Sequence, residues 1–221
     1  MRLMIVGQKW LGAEALAALR AQGHDVASVA APVGDRLHQA AVAAGVPVGD
    51  PGRALAAAWV PEGVDLIVAA HAHCFVTRAA RKRARHGAIG YHPSLLPRHR
   101  GRDAVRWAIH MREAVTGGSV YWMTDRADAG PLAAQDWCHI VPGDDAASLW
   151  RRELGPMGVR LLARVVADVA DGRLVRVPQV EALATWEPAF DRPALARASA
   201  HPGPGVCLAG TVVESADTWG G

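Results

Sequence analysis

The opening of the chain constrains the fold most. Leu3 to Gly7, LMIVG, is an apolar run of strand length; GQKWLG is a glycine-punctuated turn; AEALAALRAQG spaces its apolar residues as a helix does and ends on a glycine. The pattern then repeats. HDVASVAA reads as a second strand, DRLHQAAVAAG as a helix, VPVG as a short edge strand and VDLIVAA as a buried strand. Alternation of this kind predicts an α/β fold: a mostly parallel sheet with helices on both faces and right-handed crossovers. Ligands of such sheets lie outside the carboxyl ends of the strands. GAIGY is a further strand candidate, and SVYWMTD and the stretch around AAQDWCHI read as two antiparallel strands. ASLWRRELGPMGVRLLARVVADVADG is a long amphipathic helix with a break expected at Gly155-Pro156. After Val177-Pro178 periodicity is lost. The expected division is therefore a main domain over 1–179 and, over 180–221, a short irregular C-terminal extension that packs on the core and frays at Gly220-Gly221.

Composition narrows the classes of partner. The chain has 221 residues, 51% of them hydrophobic, enough for a sizeable core. Its net charge is only +3 and its arginines are scattered, so no nucleic-acid footprint is indicated, whereas small anionic ligands suit it. Cys74, Cys138 and Cys207 form no C-x-x-C pair and are odd in number. That argues for a reducing compartment, and a cytoplasmic protein is expected. The apolar start is short for a signal peptide and no stretch approaches the ~18 apolar residues of a span, so no membrane partner is expected.

Several motifs carry less than they suggest. Gly7 and Gly12 bracket the first loop, but G-x-G-x-x-G spacing is absent and no Lys-Ser/Thr follows, so they read as turn and helix-entry residues. In HAHC, alternate residues of a strand would put His71 and His73 on one face, but no second ligand pair at zinc spacing accompanies them and no metal is expected. RAARKRARHG reads as a solvated helix face.

The run YHPSLLPRHRG, Tyr91 to Gly101, is different. A residue before proline is pushed out of helical geometry, so Pro93 holds His92 extended and aims its imidazole at a sheet edge. A histidine placed there exchanges a proton near neutral pH if a carboxylate supports it. Asp125 and Asp128 in MTDRADAGP are the candidates, on another loop that leaves a strand.

HPSLLPRHRG, AVRWAI, TGGSVYWMTDRADAGPLAAQ and the early GQKWLG resemble the folate-dependent formyltransferases. Within that group the sequence is most similar to the amino-terminal hydrolase domain of 10-formyltetrahydrofolate dehydrogenase, over roughly Met1 to Gln179. The resemblance implies a Rossmann-like formyltransferase fold, with 10-formyltetrahydrofolate as cosubstrate and His92 and Asp128 as catalytic residues. It implies that the pterin is held by main chain over Ala72, His73, Cys74, Phe75 and Val76, and by the loop of Thr124, Asp125, Arg126 and Ala127 up to Asp128. One departure stands out. The transferases carry an asparagine two residues before the histidine, where this chain has Gly90. The glycine leaves room for a water, admits a bulkier acceptor, or marks a weakened enzyme; in the first case Gly90→Asn should favour transfer over hydrolysis.

The acceptor is expected to be a small-molecule amine or water. The short tail argues against tRNA as acceptor and against a fused dehydrogenase, so a stand-alone enzyme is expected. Arg78, Arg98 and Arg100 are expected to meet the folate's glutamate tail. Two alternatives stay open: a folate-binding protein that has lost catalysis, and a nucleotide-binding module using the first glycine loop. Oligomeric state is not legible.

Overall fold

The computed structural model describes residues 1–190, of which Met1–Glu187 form one compact unit. The remainder of the expected extension, with Cys207 and the Gly220-Gly221 end, lies outside the described residues.

The repeated strand–helix signal becomes β1 (Arg2–Gly7), α1 (Lys9–Ala21), β2 (Asp25–Ala30), α2 (Arg36–Ala43), β3 (Val48–Gly49), β4 (Ala54–Leu55), β5 (Leu66–Ala70), β6 (Phe75–Val76) and α3 (Arg78–Arg83). There follow β7 (Ala88–His92), α4 (Ala104–His110), the hairpin strands β8 (Val115–Trp122) and β9 (Leu132–His139), α5 (Ala146–Leu149) and α6 (Gly155–Ala170). The main sheet has seven strands in the order β3-β2-β1-β5-β7-β8-β9. It is parallel through β7 and antiparallel from β7 to β9. A separate two-stranded piece, β4 with β6, was not foreseen.

Alternation along the strands builds a core on each side of the sheet. Leu3 and Ile5 of β1, Leu66 and Val68 of β5 and Ile89 and Tyr91 of β7 point one way, against Leu11, Leu16 and Leu19 of α1 and Leu161, Leu162, Val165 and Val166 of α6. Met4, Val6, Ile67 and Ala88 point the other way, toward Val76 of β6 and Ala80 of α3. Burying each such Leu, Ile or Val contributes about 1.5–3 kcal/mol relative to leaving it exposed.

Two local expectations change. Gly12 lies inside α1, where an added Cβ would come within 2.8 Å of Leu37, so it is glycine for helix packing and not for a helix entry. The helix break falls earlier than Gly155-Pro156: Trp150–Leu154 form a π-helical turn, and Pro156 sits in the first turn of α6, where its missing N–H costs nothing. Pro97 follows Leu96 through a cis peptide bond.

Candidate active site

His92 is the last residue of β7, so its side chain leaves the sheet at the carboxyl end of a parallel strand. It is buried, 7% exposed, and its Nε2 lies 2.6 Å from the carbonyl oxygen of His99. A carbonyl can only accept, so a hydrogen is on Nε2 and Nδ1 is the other edge of the ring. Nδ1 faces Asp128 Oδ2 at 3.8 Å. Asp128 follows β8 in a left-handed backbone conformation, φ +51°, which Asp tolerates better than most side chains. Its Oδ2 accepts from the Gly101 N–H at 2.8 Å and its Oδ1 from the Tyr121 hydroxyl at 2.7 Å. The pair read from the sequence is thus brought together, anchored on both sides by groups that the sequence did not reveal.

The corner around His92 is stiffened from beneath. Ser119, opposite His92 across the β7–β8 pair, donates to the Ser94 carbonyl and accepts from the Leu96 N–H, and Gln135 of β9 donates to the Leu96 carbonyl and to Ser119 Oγ. It is strapped from outside by residues 179–187. The Thr185 carbonyl accepts from Arg100 N–H, Thr185 Oγ1 accepts from His99 N–H, and Gln179 Nε2 donates to the carbonyls of Asp128 and Gly130. Arg100, 4% exposed, reaches Gln179 Oε1 and Glu181. Arg98 pairs with Glu113, and His99 lies between Glu113 and Glu187, 3.0 Å from each. The Glu187 approach lacks hydrogen-bond geometry. The expectation that Arg98 and Arg100 meet a ligand's carboxylates is corrected: carboxylates of the chain hold both, Arg100 because a buried cation needs its partner inside the fold, and Arg98, which is exposed, through its pair with Glu113. Arg78 is exposed, 3.9 Å from Asp125.

The two loops expected to hold the pterin are brought together by Arg81. Contrary to a solvated helix face, Arg81 is 8% exposed; it donates to the Val76 carbonyl and forms an ion pair with Asp125. One guanidinium therefore ties 72–76 to 124–128. Residues 71–74 form a loop after β5 and not a strand, so His71 and His73 do not share a face. His71, at φ +58°, packs edge-on to Trp150, with its pKa lowered by burial and then by Lys9. His73 Nε2 lies 3.3 Å from Asp50, while its buried Nδ1 has no partner among the described residues. Burial, reinforced by Asp50, pushes the Cys74 thiol up to about 11. At neutral pH Cys74 is therefore a thiol and not a thiolate. Thr124, Asp125, Arg126 and Ala127 are exposed, as a ligand-facing loop requires, and Arg126 bonds Glu181 at 2.6 Å.

Gly90 sits opposite Tyr121 in the β7–β8 register, with ordinary strand geometry. A Cβ there would lie 3.3 Å from Tyr121 Cε1 and 3.4 Å from its hydroxyl. The expected room for water or a bulkier acceptor beside Gly90 is therefore taken by a ring. Sequence reading missed Tyr121 because only the register across two strands places it.

The sequence model of the formyl transferase family matches residues 24–166. The chain belongs to the formyl transferase family. The mitochondrial 10-formyltetrahydrofolate dehydrogenase of Homo sapiens is 34% identical over 201 residues, 85% of this chain and 22% of that protein. The chain thus spans about a fifth of the length of the dehydrogenases it matches. A methionyl-tRNA formyltransferase of Phenylobacterium zucineum (strain HLK1) is 34% identical over 222 residues, covering 93% of this chain and 71% of its own length. Among solved structures, glycinamide ribonucleotide transformylase 1 from Symbiobacterium toebii superposes with a TM-score of 0.68 at 25% identity, over 81% of this chain and 93% of that one. An N-formyltransferase from Helicobacter canadensis, in complex with folinic acid and dTDP-3-aminofucose, reaches 0.72 over 86% of this chain and 72% of its own, at 15% identity. The formyl transferase fold and its class of enzyme are those the sequence resemblance implied.

Proposed function

We propose that this chain moves the formyl group of 10-formyltetrahydrofolate to a small-molecule amine or to water, with His92 and Asp128 handling the proton. The observation that carries this reading is His92 at the carboxyl end of β7, its Nε2 tied to a carbonyl and its Nδ1 facing a fixed carboxylate at 3.8 Å. The folate-facing residues fit a pterin: an unpartnered buried nitrogen, His73 Nδ1, on one loop, and an exposed second loop linked to it through Arg81. When bound, the folate supplies an electrophilic formyl carbon attached to a nitrogen that can leave.

The residues then act in order. As the amine nitrogen or water oxygen bonds to the formyl carbon, His92 Nδ1 takes its proton. The Asp128 carboxylate, held by Gly101 and Tyr121, stabilises the imidazolium. As the bond between the formyl carbon and the folate nitrogen breaks, the same proton passes from Nδ1 to that nitrogen. The products are tetrahydrofolate and either a formyl-amine or formate. A cytoplasmic setting fits the free thiols of Cys74 and Cys138.

The test is to incubate the protein with 10-formyltetrahydrofolate, with and without candidate amines, and to follow tetrahydrofolate and formate. His92→Ala and Asp128→Ala should each lower turnover at least about a hundredfold while remaining folded by circular dichroism. Near-parent turnover in either folded variant would refute the pair. Folate binding with no turnover in the parent would favour a folate-binding protein without catalysis.

A further inference from the structure

Tyr121 is set apart by what surrounds it. Its ring fills the face of β8 opposite Gly90, its hydroxyl donates to Asp128 Oδ1 at 2.7 Å, and the residue is only 7% exposed. We propose that Tyr121 is a positioning residue of the active site: its phenol, in the space a glycine at 90 leaves open, holds Asp128 in the orientation that faces His92. This rests on the formyl-transfer reading above.

The geometry of the carboxylate supplies the reason. A carboxylate held by one donor can still turn about its own axis and present either oxygen. Here Gly101 N–H holds Oδ2 and Tyr121 holds Oδ1, so the turn is blocked and Oδ2 stays toward His92. The backbone of Asp128 is fixed separately, through Gln179 Nε2 on its carbonyl. Burial first, then the charge of Asp128, pushes the Tyr121 phenol well above its usual range, so it remains a donor throughout neutral pH. A phenylalanine would keep the ring against Gly90 and remove only the donor.

Tyr121→Phe in the full chain, assayed with 10-formyltetrahydrofolate, should lower kcat about tenfold, the size expected for one hydrogen bond to a charged group. KM for the folate should stay within about twofold, since uniform binding is untouched. The decisive step is the cycle with Asp128→Ala, in whose background Tyr121→Phe should have almost no further effect, because the group it acts through is gone. A Tyr121→Phe variant with parent kcat, or the same tenfold loss persisting in the Asp128→Ala background, overturns the proposal. If the parent shows no turnover at all, the formyl-transfer reading falls, and urea unfolding of the same four proteins decides the pairing. Non-additive stabilities retain Tyr121 as the holder of Asp128; additive ones remove it.

Discussion

The His99 carbonyl fixes which edge of His92 is left toward Asp128, and a left-handed backbone at His99, φ +54°, accompanies that aim. Strain of this kind is held where the surroundings over-determine it, here by Thr185, Glu113 and Glu187 around one residue. At the same scale Gly90 has a consequence for substitution. A methyl placed 3.3 Å from Tyr121 Cε1 is a few tenths of an ångström too close, so Gly90→Ala should destabilise the protein by about 1–3 kcal/mol in urea unfolding, as overpacking does. It should also lower kcat by pushing the phenol off Asp128; unchanged stability would mean that the ring yields freely. The thiols provide a check of burial. Cys74 and Cys138 are both pushed up from 9.0 to about 11, chiefly by burial. Because the thiolate is the reactive form, each should react with an aromatic disulfide reagent at pH 8 about a hundredfold more slowly than an unperturbed thiol, read residue by residue by mass spectrometry. His92 and the loop of Asp125 and Asp128 were legible because proline restriction and turn composition are local signals; the choice of Asp128 came from the family resemblance. Tyr121 was not, since in SVYWMTD it reads as one more apolar strand residue until the β7–β8 register puts it across from Gly90.

At the scale of elements, α3 and the strap over 179–187 do what no local pattern announced. RAARKRARHG has the composition of a solvated face, and only the packing of α3 against β6 turns Arg81 inward to Val76 and Asp125. Arg81→Met keeps the apolar stem and removes both polar links. It should leave the Val76 carbonyl unsatisfied, costing about 1–3 kcal/mol in unfolding, and raise the dissociation constant for the folate as the two loops part. Parent affinity would show that the loops are held by other means. Loss of periodicity after Val177-Pro178 was visible, but not that Gln179 and Glu181 would complete the corner. Glu181 is held down to about 2 by Arg100 and then by Arg126. A depressed carboxyl pKa adds stability that is complete above the unfolded value near 4.5 and fades as pH falls toward about 2. Glu181→Gln should therefore melt below the parent at neutral pH, and the gap should close across that acid window; a gap independent of pH would assign the effect to packing.

At the scale of the whole molecule, the strand order reverses at β1 and β5, whose carboxyl ends meet at Gly7 and Ala70, yet the His–Asp pair lies further along the sheet, where parallel β7 meets antiparallel β8. Gly7 allows the first meeting, because a Cβ there would lie 2.1 Å from the Ala70 carbonyl oxygen. The loops after β5 and β7 leave the sheet at the carboxyl edge, and the loop after antiparallel β8 turns back so that Asp128 reaches His92; a ligand that touches all three ties together segments distant in sequence. Such a ligand binds the folded state and not the unfolded chain, so it stabilises by mass action. A reduced folate at a hundred times its dissociation constant should add about 2.7 kcal/mol, which for a chain of this size corresponds to roughly 5–10 °C in melting temperature. A dinucleotide should leave the melting temperature unchanged, since the first loop lacks G-x-G-x-x-G spacing and Gly12 is used inside α1. Scanning calorimetry with each ligand separates the two. A shift with the dinucleotide and none with saturating folate would move the binding site to the β1–β5 edge and refute the assignment of the pterin to 72–76 and 124–128.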